Sequence, residues 1–257
     1  MKRYFFHMTC IAATLWTLLG CQPEAKKATL SDGFAKYEAR QLEESESIAD
    51  RYIANPDAAT VAEAYYLRGL TRMTRGNRVG AAEDLHNAIA KTERTDLKSK
   101  SWRSLGDIDF DQAKWAEAEK EYQTALSAGG ANPATASYLN YRIGVSLQAR
   151  GEWPSSVAWF GRVVATDSSD PTLKERSLAR MHASAYALQF GAFQDAARAR
   201  ELVAQLKAAG LNATIPVDVR DGQLLYLVQS GSFKTMAEVS AAREAVQGKY
   251  PLVAIVP

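Results

Sequence analysis

Residues 186–193, YALQFGAF, and residues 226–233, YLVQSGSF, are two copies of one pattern 40 residues apart, each followed by an amphipathic stretch. The alternating apolar residues before each Gly-x-Phe predict a strand, and the period then changes to that of a helix. Gln194 to Ala209 reads as a helix stopped by Gly210, and Ala213 to Val219 as a β-branched strand ended by Arg220-Asp221-Gly222. Leu224 to Ser230 is a strand, Thr235 to Gln247 a helix and Leu252 to Val256 a last strand. The predicted order is β-α-β-β-α-β, a small α+β unit over residues 183–257. Side chains alternate across a strand, so Leu188 and Phe190 should face the helices, while Ala187 and Gln189 share the open face with Leu225, Leu227 and Gln229.

Upstream the period is helical throughout. Gly33, Gly69, Gly106 and Gly144 recur at intervals of 36, 37 and 38, and each is followed 12 residues later by Ser45, Ala81, Ala118 or Ser156. Small residues at a fixed spacing mark places where two helices approach closely, so residues 31–170 read as four helical hairpins, with residues 171–182 as a capping helix. Trp102, Leu105, Gly106, Ala118, Tyr122 and Ala125 define the clearest copy; Lys36 and Ala49 occupy core positions in the first and make it the weakest. This frame resembles the tetratricopeptide repeat, whose stacked hairpins form an α-helical solenoid with a concave groove. The resemblance implies a protein partner in that groove, lined here by Tyr66, Leu70 and Met73, then Arg103, Asp107 and Phe110, then Tyr138 and Tyr141. Either these side chains meet a peptide or they pack between repeats, in which case Tyr66 and Tyr141 belong to the core. The first alternative expects both tyrosines to be removable without loss of stability.

The paired pattern, with Leu206-Lys-Ala-Ala-Gly210 between its copies, is similar to the SPOR domain, which binds peptidoglycan glycan strands stripped of their stem peptides. By that resemblance the first-strand Gln, here Gln189, and the Ser of Gly-Ser-Phe contact glycan. An Arg four residues before the second Gly, with an aromatic nearby, often does so too. Ala192 replaces the first Ser, and Leu227 stands where the Arg would be, beside Tyr226. Gln229 and Ser232 carry the motif in the second half and are expected to compensate. A Gln amide suits a neutral sugar because it donates and accepts at once.

Lys2 and Arg3 precede an apolar run from Tyr4 to Leu19, and Gly20-Cys21 follows, which gives residues 1–20 the layout of a secretory signal. Leu18-Leu19-Gly20-Cys21 resembles the bacterial lipobox, implying diacylation of Cys21, with residues 21–30 as a lipidated tether. Gln22 stands where the family's inner-membrane retention signal has Asp, so the expected place is the periplasmic face of the outer membrane, with lipid as the only membrane contact.

The body of the chain restricts chemistry further. Lys2 and Arg3 are the only charges in residues 1–20; the remainder carries as many basic as acidic residues, and nucleic acid, which needs a basic surplus, is not the expected partner. Both cysteines, Cys10 and Cys21, lie near the start, so no disulfide or thiolate metal site is expected in the body. Asp107, Asp109 and Asp111 mimic the opening of a calcium loop, yet Gln112 and Ala118 stand where Gly and Glu are needed. No nucleophile, phosphate-loop or dinucleotide motif is present, and neither a cofactor nor catalysis is expected. The sequence therefore predicts an adaptor in cell-wall remodelling or division that binds denuded glycan and a protein partner. The alternative is a repeat-based assembly factor for an outer-membrane or secretion complex whose SPOR-like sheet has lost its glycan.

Overall fold

A computed structural model describes residues 28–166, 170–220 and 222–257. Cys21 and the apolar run before it lie outside these residues. The chain is an α-helical solenoid followed by a small α+β domain. Four hairpins come first: α1 (Leu30–Glu38) with α2 (Leu42–Ala54), α3 (Val61–Thr74) with α4 (Arg78–Ala90), α5 (Thr95–Asp111) with α6 (Trp115–Ser127), and α7 (Pro133–Ala149) with α8 (Trp153–Ala165). A ninth helix, α9 (Pro171–His182), packs on α8. Among the described residues no helix is long and apolar enough to cross a membrane.

The small-residue frame has a direct steric cause. A Cβ on Gly106 would lie 2.6 Å from Tyr122, and one on Gly144 would lie 2.7 Å from Phe160, so each glycine makes room for an aromatic ring of its partner helix. Tyr122 and Phe160 are fully buried there. The first hairpin has Ala49 in the corresponding place, and the gap is filled from the next repeat: Leu67 Cδ2 sits 2.6 Å from where a Gly33 Cβ would be. Lys36, the other irregular core position, stays half-exposed and pairs with Glu44 at 2.6 Å.

All four hairpins turn in the same way. Arg40, Gly76, Ala113 and Gly151 each take positive φ (60°, 84°, 58° and 87°). The N–H of the residue after each returns to a carbonyl five residues back, for example Lys114 to Asp109 at 2.9 Å and Glu152 to Leu147 at 2.9 Å. This closure satisfies carbonyls that the helix end leaves unpaired.

The C-terminal domain has β1 (Tyr186–Phe193), α10 (Ala196–Ala208), β2 (Ala213–Thr214), β3 (Val217–Arg220), β4 (Gln223–Phe233), α11 (Met236–Gln247) and β5 (Ala254–Val256). The predicted second strand is divided at Ile215-Pro216 into β2 and β3, both of which pair with β4 on the side away from β1. All pairings are antiparallel, in the order β2-β4-β1-β5. Two bulges offset each other in the β1–β4 ladder: Phe190 is extra between the pairs Gln189–Gln229 and Gly191–Val228, and an extra residue of β4 enters around Gly231 and Ser232. The first lies just before the glycine of its sequence copy and the second at the glycine of its own. Gly231 has φ of +85°, and a Cβ on it would lie 2.3 Å from the Phe233 ring; on Gly191 it would lie 2.6 Å from Phe193. In both copies the glycine leaves room for the phenylalanine two residues on, and in the second copy the Gly-x-Phe element is itself the bulge.

The two halves make two core clusters, one around Tyr186, Leu188, Val239 and Val253 under α11 and one around Ala199, Leu206, Ala213 and Val228 under α10. Phe190 and Tyr250 belong to both and meet edge to face at 5.2 Å. Trp153, the first residue of α8, enters the first cluster: its ring packs on Tyr186 at 4.8 Å, and its Nε1 donates to the Lys234 carbonyl at 2.8 Å. The solenoid therefore meets the sheet from the helix-bearing side.

Candidate functional site

Strand pairing puts Gln189 directly opposite Gln229 on the face that α10 and α11 leave open. Gln229 Nε2 donates to Gln189 Oε1 at 3.2 Å, and both side chains are half-buried. Whichever amide donates, the pair keeps one free carbonyl and one free NH2 for a ligand. Thr214 pairs with Gln229 on one side and Ala254 with Gln189 on the other, and both are exposed. Leu227 and Ala192 form the next pair along the strands on this face; Leu227 is only 6% exposed, a floor residue that supplies shape and no hydrogen bond. Ser232 is exposed within the β4 bulge.

Tyr226 requires a correction. It was expected beside the ligand, but it pairs with Phe193 and packs on the Ala199–Leu206–Ala213–Val228 cluster, on the opposite face of the sheet. Strand alternation already separates it from Leu225, Leu227 and Gln229.

Residues 183–256 match the SPOR domain family. This segment is a SPOR domain. A SPOR domain implies peptidoglycan binding and a role in the cell envelope or division. No curated protein matches the chain by sequence. Two solved structures of MamA are similar in fold: one is 19% identical with a TM-score of 0.45, covering 60% of this chain and 75% of that one. The second is 14% identical with a TM-score of 0.45, covering 58% and 90% respectively.

The second candidate surface is the concave face of the solenoid. At its N-terminal end Leu30, Phe34, Glu63, Tyr66, Leu97 and Lys100 line an open cleft of about 390 Å³. Farther along, the sequence-predicted groove residues are already engaged with one another. Asp107 Oδ1 accepts from Tyr122 Oη at 2.8 Å and Tyr138 Oη at 2.6 Å; Arg142 Nε donates to Tyr138 Oη at 2.7 Å. The Arg103 guanidinium lies over Tyr138 at 4.5 Å, that of Arg142 over Phe110 at 4.0 Å. Burial and the Asp107 carboxylate push the Tyr138 hydroxyl up to about 12, so it remains a donor throughout the neutral range. Met73 packs beside the Ala81–Leu85–Leu105–Ile108 cluster, and Leu70 is half-buried with its carbonyl accepting from Thr74.

Tyr66 and Tyr141 correct the expectation that both can be removed freely. Tyr66 packs beside the same cluster and lies 6.3 Å from the Phe34 ring, and Tyr141 lies edge to face with Phe160 at 5.7 Å. Truncating the Tyr66 ring removes contacts between repeats, and truncating that of Tyr141 removes packing between the two helices of the fourth hairpin, so both tyrosines belong to the stack as well as to its surface.

Asp109, part of the calcium-like series, instead faces Lys114 at 3.2 Å, with the Glu121 carboxyl near enough to feel its charge. Burial first, then the negative charges of Asp109 and Glu117, push Glu121 up to about 8 against partial relief from Lys114. The folded state thus keeps a proton that the unfolded chain releases once the pH passes the usual carboxylate range, so stability falls as pH rises from about 4.5 to about 8. Glu121→Gln should raise the melting temperature at the alkaline end of this window and flatten its pH dependence, as measured by circular dichroism. An unchanged slope would mean that Glu121 is not held protonated in the folded state.

Proposed function

We propose that this protein is an outer-membrane lipoprotein, acylated at Cys21 and facing the periplasm, that binds denuded glycan strands through the open face of its SPOR domain. The solenoid offers a second surface to a protein partner in cell-wall remodelling or division. In this reading the chain is a non-enzymatic adaptor. The observation that carries it is the Gln189–Gln229 pair at the centre of a sheet face free of helices, bonded to each other yet each with hydrogen-bonding capacity to spare. Ligand selectivity follows from the chemistry: a strand without stem peptides presents neutral hydroxyls and acetamides, and a face of amides, a threonine and apolar side chains complements these better than charged peptides.

The test is co-sedimentation of the chain with purified sacculi, with and without amidase treatment. Retention should rise after treatment, because removing stems exposes the groups that the glutamines recognise. A second reading, the assembly factor with an inert sheet, is favoured by Leu227 in place of the family's Arg. It predicts no retention on either preparation.

A further inference from the structure

Hydrogen-bonding groups on the open face are arranged across the strands and not along them. Thr214, Gln229 and Gln189 stand opposite one another in register on β2, β4 and β1, and Ala254 of β5, which has no polar side chain, continues the row. Along β4 the same face reads Gln223, Leu225, Leu227, Gln229, with steps of about 7 Å, so two apolar residues separate Gln229 from the next polar group, and that group is already bonded to Gln194. Across the sheet the step is about 4.8 Å, and a pyranose ring advances a β-1,4-linked chain by nearly that distance. The row is also flanked by apolar pairs, Leu227 with Ala192 on one side and Ala187 with Val256 on the other, which suit the C–H faces of sugar rings.

We infer that a denuded glycan lies perpendicular to the strands, one ring per strand, with Thr214 and Ala254 as its outer contacts. This rests on the glycan-binding reading above and assigns to it an orientation, a length and two further residues. Thr214 has its hydroxyl beside the Gln229 carbonyl at 3.5 Å and remains exposed, so it can turn that hydroxyl to a ligand. Ala254 contributes by being small: on an exposed edge strand it lets a ring approach the backbone, and a larger side chain there would stand in the path.

The experiment titrates the full chain with stem-free glycan oligomers of two, four and six rings. Affinity should rise several-fold from two rings to four and then level off. Thr214→Val should weaken the four-ring ligand several-fold and leave the two-ring ligand unchanged, Ala254→Leu should do the same, and Leu225→Ser, along the strand from the pair, should change neither. Melting curves check that each variant is folded. A plateau already at two rings, or a loss with Leu225→Ser and none with Thr214→Val or Ala254→Leu, would overturn the orientation while leaving glycan binding intact. Absence of wild-type binding to every oligomer and to amidase-treated sacculi would remove the underlying reading as well.

Discussion

Asp84→Ala is expected to cost about 3–5 kcal/mol of stability, because it removes one partner from a buried charge network and leaves the other charges unmatched. Asp84 is 1% exposed. It accepts two hydrogen bonds from Arg68, Nε at 2.9 Å and Nη2 at 2.7 Å, and a third from Arg72 Nη1 at 3.0 Å. The same guanidiniums reach α2, Arg68 to Asp50 at 2.7 Å and Arg72 to Glu46 at 2.9 Å. Three helices of the first two repeats are therefore joined through one carboxylate, which holds the Arg68 proton more tightly than in free arginine. Urea denaturation should show the loss, and Asp84→Ala combined with Arg68→Leu should recover part of it, since an apolar replacement removes the stranded charge. A cost near that of an exposed ion pair, below about 1 kcal/mol, would show that water solvates the network.

The second large effect is expected at Trp153. Trp153→Ala should cost about 3–5 kcal/mol, as for other buried aromatic truncations, and it should also change how the protein unfolds. The indole is 5% exposed and is the solenoid's contribution to the core cluster of Tyr186, Leu188, Val239 and Val253. Its removal leaves the Lys234 carbonyl without its side-chain donor and opens a cavity at the junction. Calorimetry should then resolve two transitions where the wild type gives one, the SPOR domain melting apart from the repeats. Trp153→Phe keeps most of the ring and loses the hydrogen bond, so it should cost closer to about 1 kcal/mol. A single undivided transition in Trp153→Ala would mean that the remaining contacts between the two parts suffice to couple them.

Both residues show where sequence reading stops. The repeat frame is legible because its cause is local and periodic: Gly106 and Tyr122 lie 16 residues apart in a hairpin, and the same spacing recurs at Gly144 and Phe160. Trp153 fits that frame equally well, so nothing in the sequence signals that its ring turns outward to Tyr186 and to a carbonyl 81 residues away. Asp84 looks like any solvated helix acid until α2, α3 and α4 are packed. The open face was legible as far as strict alternation holds, from Ala187 and Gln189 to Leu227 and Gln229. It fails at the bulges, where one extra residue changes the side on which the following side chain lies. The division of the second strand is a similar case: Pro216 cannot donate to the ladder, yet its own carbonyl accepts from Leu227 N at 2.9 Å, so the edge continues past it as β3. The groove positions fall on α3, α5 and α7, but position alone does not distinguish a free tyrosine from one already bonded to Asp107.

If the two central glutamines hold the glycan, the wild-type chain and Gln189→Ala/Gln229→Ala should differ in binding to amidase-treated sacculi. Each lost hydrogen bond should cost on the order of 1 kcal/mol, several-fold in affinity per residue. The double variant should therefore bind at least tenfold more weakly while melting as the wild type does. Added salt should change either affinity little, because residues 183–257 are nearly balanced in charge and the stripped strand is close to neutral. Equal binding by the wild type and the double variant would contradict the account.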